Sequence, residues 1–385
     1  MSPTGARPFW FPPPAAAPAT VPRRADVVVV GGGITGVAMA RRLSREDVSV
    51  CLLERDHLGS GATGRNAGFL LTGVAANYFA ATASYGRARA VDIWRFTIEN
   101  HRLLAHALDG LSCGYARRGS WVLPASDQER EQLLESATLL AEDGLPGEWH
   151  ERAPGAGRGP GGGLLVPTDG EVDPSRALAA LAAGLAPGVV CEGITVEALE
   201  SSGSGVRVHT TAGEVAAATV VLATNGYTHT LLPRLPIRPV RAQMLATAPG
   251  AAALTERPVY SDHGYRYWRQ LEDGRVLLGG FRNTAFEVEV GDDDLPTDAL
   301  QARLDEHLAR LATATAVTHR WAGTMGFTPD ELPLVGPVPG MAGTLVCGGY
   351  SGHGMGFAIN AVEVLAASLS GAAIPSWLDP ARVSG

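Results

Sequence analysis

Three glycines spaced Gly31-x-Gly33-x-x-Gly36 follow the run Asp26-Val27-Val28-Val29-Val30 and open a helical pattern carried by Ala38, Ala40 and Leu43. The first glycine permits a tight turn, the second lets the backbone approach a pyrophosphate, and the third lets helix and strand pack closely. The helix N-terminus then offers free N–H groups and the positive end of its dipole to phosphate. Glu54 ends a second apolar run over 48–53, eighteen residues after Gly36, near the spacing of about 20 at which a carboxylate accepts ribose hydroxyls. The chemistry is dinucleotide binding, and the carboxylate would repel a 2′-phosphate. The same glycine spacing recurs at Gly59-Gly61-Gly64 and Gly157-Gly159-Gly162. Only the first match directly follows a buried strand and opens a helix; the last lies in a Pro/Gly-rich loop and is chance. This unit alone does not separate FAD from NAD.

Further residues able to do chemistry lie in four ordered segments. Gly59-Ser60-Gly61-Ala62-Thr63-Gly64-Arg65-Asn66-Ala67-Gly68 follows the second apolar run. Tyr267-Trp268-Arg269 and Asp273-Gly274-Arg275-Val276-Leu277-Leu278-Gly279-Gly280 read as a hairpin. Trp321 opens a stretch containing Gly326-Phe327-Thr328-Pro329-Asp330-Glu331-Leu332-Pro333-Leu334-Val335-Gly336. Cys347-Gly348-Gly349-Tyr350-Ser351-Gly352-His353-Gly354-Met355-Gly356-Phe357 is a glycine-rich turn before an apolar helix. Together with the first fingerprint these resemble the D-amino acid oxidase superfamily of FAD-dependent oxidoreductases. The branch they are most similar to holds gamma-glutamylputrescine oxidase and the glycine/sarcosine oxidase-like amine oxidases. The resemblance runs from about residue 25 to 369.

The resemblance implies FAD in an extended pose. Its adenine end would lie at Gly31, Gly33, Ile34, Thr35, Gly36, Glu54 and Arg55, with Val196 holding the adenine through backbone atoms. The loop Thr63, Arg65, Asn66, Ala67, Gly68 and Phe69 would follow the pyrophosphate and flavin ring, its last three residues near flavin N5. Gly349, Ser351, Gly352, His353, Gly354 and Met355 would meet the pyrimidine side, where backbone N–H groups stabilise negative charge on reduced flavin. His353 either acts on the flavin or braces the turn. Arg65 and Asn66 either face the active site or lock their loop. Tyr267 and Arg269 either hold a substrate carboxylate or pack structurally. The faces of Tyr265, Arg266 and Arg282 stay unassigned.

The implied reaction is oxidation of a C–N bond of a small amine or amino acid. A neutral amine nitrogen pushes hydride from its α-carbon to flavin N5, and water hydrolyses the resulting imine to an aldehyde or keto acid. The cofactor does the hard step while the protein orients substrate and excludes water. Oxygen is one candidate electron acceptor. A dehydrogenase or biosynthetic tailoring enzyme of the same fold with another acceptor is the alternative. Two lysines of sarcosine-oxidase relatives are absent, one at Leu277 and one within Met355-Gly356-Phe357, which argues against a sarcosine-like substrate and fast reaction with oxygen. The flavin-attaching cysteine of those relatives corresponds to Gly323, so the FAD is expected to be dissociable.

The elements that must position these residues define an α/β fold. It is a Rossmann-like FAD domain of glutathione-reductase type, interleaved with an antiparallel-sheet substrate domain of α+β character. Strands are expected over 26–30, 48–53, 120–124, 189–199, 206–211, 220–223 and 344–347, with strand-like pattern over 239–283. Helices are expected over 88–108, 129–140, 175–185, 295–311 and 360–369. The FAD domain is assigned 25–75, 165–240 and 320–376, and the substrate domain 76–164 and 241–319. Residues 1–24 read as a Pro/Ala-rich arm that is extended or disordered, with docking through Phe9 to Phe11 as the other option.

The whole chain has 385 residues and a net charge of −8 without basic clusters, which argues against nucleic acid as a partner. All 31 basic residues are arginine. Cys51, Cys113, Cys191 and Cys347 form no CxxC pair and read as buried reduced thiols rather than a disulfide framework. No signal-like stretch opens the chain and no run of about 18 apolar residues suggests a membrane span. A cytoplasmic location is expected, with a small amine or amino acid as partner, no metal, and the oligomeric state open.

Overall fold

The computed structural model describes residues 8–10, 20–153, 160–203, 205–311 and 315–383. Phe11, Gly157 and Gly159 lie outside the described residues. Two eight-stranded sheets carry the architecture. In the first, the strand Arg24–Val30 is central because Val28 and Val29 are fully buried, covered on both faces. It pairs in parallel with Val50–Leu53 on one side and Gly213–Leu222 on the other. The order across the sheet is Leu334–Pro337, Thr344–Gly348, Gly213–Leu222, Arg24–Val30, Val50–Leu53 and Val190–Cys191. Only Leu334–Pro337 on this path runs antiparallel to its neighbour. The helices Ile34–Leu43 and Gly354–Leu369 share one face, their apolar residues in one core with Val29, Leu52 and Val221.

The second sheet runs Val317–Phe327, Arg238–Thr247, Val276–Gly280, Arg266–Gln270, Val259–Ser261, Ser120–Leu123, Gly163–Val166 and Glu148–His150. It is antiparallel except where Val259–Ser261 meets Ser120–Leu123 in parallel. Arg238–Thr247 and Val317–Phe327 are long partners across this sheet and straddle the expected boundaries at 240 and 320. The helix Asp298–Arg310 closes one face, burying Leu300, Leu304 and Leu308 against Leu245, Trp268 and Leu278. The other face presents Met244, Ala246, Leu277 and Trp321 to the loop holding Ala67 and Phe69. No helix among the described residues is long and apolar enough to cross a membrane.

Several boundaries differ from expectation for local reasons. The strand placed over 220–223 is Gly213–Leu222, because Val215 and Ala217 alternate with exposed residues before the doubly buried Val220 to Leu222. Its first half pairs antiparallel with Gly205–Thr210 and its second half is the parallel core strand. The stretch 189–199 splits into Val190–Cys191 in the parallel sheet and Val196–Ser202 in a hairpin. The closing helix begins at Gly354 rather than 360, so the glycine turn runs straight into a helix N-terminus. The four cysteines are free and buried.

Gly36 shows how tightly the first helix sits on its strand turn. A Cβ there would run into the Gly31 carbonyl oxygen. Gly36→Ala therefore forces the helix off the turn and is expected to destabilise by about 1–3 kcal/mol, the usual cost of overpacking. Urea denaturation of the two proteins reads this directly, and an unchanged midpoint would contradict the packing described.

Candidate active site

A cavity of about 580 Å³ lies between the two sheets. At one end it is walled by Glu54, Arg55 and Val196, and at the other by Tyr260, Tyr267 and His353. Of the residues expected at the cofactor, all but Gly36, Gly68 and Gly349 line it. Those three act from behind: Gly36 through close packing, Gly68 through its backbone turn, and Gly349 by donating its N–H to Asn225 Oδ1 at 3.0 Å.

Polar groups without partners mark what the cavity can hold. Gly33 caps the first helix without a side-chain bond, and among the described residues nothing accepts from the N–H groups of Gly33, Thr35 or Gly36. Such a first turn suits phosphate oxygens. Glu54 Oε2 accepts from Gly32 N at 2.6 Å and Oε1 from Asp56 N at 2.8 Å. Burial raises its carboxyl pKa while those two N–H groups oppose the rise. At the second helix N-terminus the N–H groups of Gly354 and Met355 likewise lack described acceptors. Beside them the Ser351 hydroxyl is buried without a partner. A Thr35 Oγ1 to Tyr350 hydroxyl contact of 3.0 Å ties the two helix starts together. Donors at both ends and a carboxylate at one fit an extended dinucleotide.

The aromatic end is a chamber in which the groups nearest one another, His353, Tyr260 and Tyr267, are neutral. His353 Nδ1 lies 3.4 Å from the Ser351 carbonyl and Nε2 3.4 Å from the Tyr260 hydroxyl. The neutral tautomer with its proton on Nδ1 donates to the first and accepts from the second. Burial pushes this imidazole down to about 4, so His353 carries no charge at neutral pH. Burial raises the Tyr260 phenol and pushes Tyr267 up to about 12. The Tyr267 ring sits between Phe69 and Tyr260, 6.1 Å from each.

Arg269 is not among the residues that line the cavity, which favours the packing alternative over carboxylate binding. It lies on the same strand face as Tyr267, but one residue pair farther along, behind the Ala67–Gly68 backbone. Its Nη1 donates to the carbonyls of Gly68 and Val172 at 2.9 Å and of Ala67 at 3.3 Å, and its Nε lies 3.4 Å from Glu171. A Cβ on Gly68, at φ +75°, would strike the Val172 carbonyl and this guanidinium. Arg65 lines the cavity, yet its guanidinium is spent on Ser60 O at 2.8 Å, Ala322 O at 2.9 Å and Asp294 at 3.3 Å. Asn66 Nδ2 donates to Thr63 O at 2.8 Å and its Oδ1 accepts from Gly68 N at 2.6 Å. Both side chains lock their loop.

Sequence reasoning left other lining residues unassigned. Tyr265 and Arg282 face the chamber, whereas Arg266 turns away to Asp262 at 3.1 Å. The Arg282 guanidinium lies over Phe327, Phe286 and Tyr265 at 4.7, 4.9 and 5.5 Å. No carboxylate among the described residues pairs with it. Asn225 and Tyr227 also line the cavity. Their signal was their place just past the C-terminal end of a central strand, where open α/β sheets bind ligands.

A family model described as FAD dependent oxidoreductase (DAO) matches residues 26–368. The chain is 28% identical over 365 residues to the probable oxidoreductase OrdL of Rhizobium meliloti, across 86% of this chain and 80% of that protein. It is 25% identical over 353 residues to a glycine oxidase of Geobacillus kaustophilus, across 86% and 89%. The crystal structure of glycine oxidase from Geobacillus kaustophilus superimposes with a TM-score of 0.78 at 23% identity, covering 94% of this chain and 98% of that one. At that identity the likeness is one of fold.

The buried titratable groups set a pH dependence. Burial pushes His101, His307 and His353 down to about 4. Each therefore gains a proton on unfolding between pH 6.5 and 4, and stability falls as pH drops through that window. Asp169, pushed up to about 7 by burial, opposes this, because it holds a proton in the fold where the unfolded carboxyl has lost it. Glu54 and Glu171, also raised by burial, act in the same direction as Asp169. The histidine contribution is isolated by substitution: between pH 6.5 and 4.5 acidification should cost wild type more in thermal unfolding midpoint than it costs His353→Gln. Identical pH profiles of the two proteins would refute this.

Proposed function

The chain belongs to the FAD-dependent oxidoreductase family, and on that footing we propose that it oxidises a C–N bond of a small amine or amino acid. One observation carries the reading: a single cavity joins a phosphate-suited helix N-terminus to a chamber walled by Tyr260, Tyr265, Tyr267 and His353. Gly33, Thr35 and Glu54 would hold the nucleotide end of FAD. Asn66, Ala67, Ser351, Gly354 and Met355 would hold the flavin end. When bound, FAD supplies a two-electron acceptor that takes hydride from carbon beside nitrogen. A side chain at Gly323 would meet Arg65 Cβ at 2.9 Å, which leaves no room for an attaching cysteine and supports a dissociable cofactor.

The chain's own residues bind, orient and dry the substrate. His353 is neutral and both phenols keep their protons, so the chamber offers no strong base. The amine sheds its proton to solvent and enters neutral, its apolar part against Phe69, Tyr260 and Tyr267. Arg282, propped by aromatic faces and paired with no carboxylate among the described residues, holds the substrate's carboxylate, a role Arg269 does not reach the cavity to fill. Electron transfer to an acceptor other than oxygen is a second reading. It is supported by Leu277, which is fully buried among apolar side chains and places no cation beside the flavin site. We place the protein in the cytoplasm, where its four free thiols stay reduced.

The purified protein should be yellow and should release FAD on denaturation. Under nitrogen, at least one member of an amine and amino-acid panel should bleach it, and the speed of recolouring in air separates oxygen from other acceptors. If every member leaves the absorbance unchanged, the proposed reaction is wrong. Arg282→Met should raise KM for a carboxylate-bearing substrate on the order of 10–100-fold, the loss of a charged hydrogen bond. The same change should leave kcat and amines without a carboxylate nearly untouched.

A further inference from the structure

Four successive carbonyls behind the cavity wall are held by three side chains. Trp321 Nε1 donates to Arg65 O at 2.8 Å, Trp10 Nε1 to Asn66 O at 2.9 Å, and Arg269 Nη1 to Ala67 O at 3.3 Å and Gly68 O at 2.9 Å. No cis peptide occurs among the described residues. In a trans peptide the N–H points opposite the carbonyl. The N–H groups of Asn66 and Ala67 therefore turn away from the clamp, toward the cavity these residues line. Neither finds an acceptor among the described residues. A backbone donor left so is free for a ligand acceptor.

Two clamp members belong to the second sheet, but Trp10 comes from the arm ahead of the first strand. It is fixed there by several contacts. Ser175 Oγ donates to Trp10 O at 2.6 Å, and the Arg269 guanidinium lies 5.6 Å from its ring centre. Phe9 meets Trp10 edge-on at 4.7 Å and is itself held by His319 and Arg275, each at 5.6 Å. Trp10 is only 9% exposed, packed with Ala67, Phe69, Leu277 and Trp321.

We propose that Trp10 is a positioning residue of the cofactor site. By holding the Asn66 carbonyl it aims the Ala67 N–H at an acceptor atom on the edge of the flavin ring. This rests on the reading that FAD fills the cavity. Phe9 and Trp10 are thereby part of the site's rear wall, outside the residues that line the cavity. Loss of the indole N–H frees the 66–67 peptide to rotate and weakens the donor that faces the ring.

The test compares full-length wild type, Trp10→Phe and Trp10→Ala. The measurements are FAD dissociation constant by fluorescence titration, the visible spectrum of bound FAD, and its reduction midpoint. Trp10→Phe keeps an aromatic ring but no donor. It should retain the wild-type far-UV signal, weaken FAD about tenfold, and shift both the visible band and the midpoint. Trp10→Ala should do at least as much. Wild-type behaviour of Trp10→Phe in all three measurements overturns the positioning role, whether or not Trp10→Ala folds. A wild-type chain that binds no FAD overturns the cofactor reading and, with it, the role given to Trp10.

Discussion

Two helix N-termini that begin far apart in the chain are held facing one cavity by a Thr35 to Tyr350 hydroxyl contact. Backbone donors at a helix start must find partners or water. Here both starts point their donors into the same space, with the Ser351 hydroxyl equally unpartnered beside them. The rest of the molecule follows from keeping that space shaped. Gly36 must have no side chain for the first helix to reach it. Asn225 holds the turn ahead of the second helix.

At the other end, low polarity does the work. His353, Tyr260 and Tyr267 are all kept uncharged by burial. Among the charges near the chamber, Arg65 is paired with Asp294 and Arg269 with Glu171, Arg282 is held over aromatic faces, and the Glu331 carboxylate lies at the rim near Tyr265. Beside these uncharged aromatic groups a substrate nitrogen that has given up its ammonium proton is favoured, because an unpaired ammonium there would be costly to desolvate.

Much of the cofactor end was legible in the sequence because its logic is local. A strand, three glycines and a helix lie within twenty residues, and each glycine has one backbone reason to be there. The second glycine turn was legible too, although its helix begins six residues earlier than apolar periodicity suggested. The substrate end was harder. Strand alternation puts Tyr267 and Arg269 on one face, but says neither which way that face points nor which of them lies past the Ala67–Gly68 backbone. Tertiary packing decided that. The arm shows the same limit, since its Pro/Ala-rich composition reads as unstructured while single side chains decide whether it docks. Trp10 does so through partners more than fifty residues away.

The chain passes repeatedly between its two sheets. Strands of the first come from 24–53, 190–222 and 334–348, and those of the second from 120–166, 238–280 and 317–327. No single cut in the backbone releases either sheet intact. The cavity, walled by both, is thus also where the two interleaved sheets meet. Whatever fills it glues segments that the covalent chain only threads together.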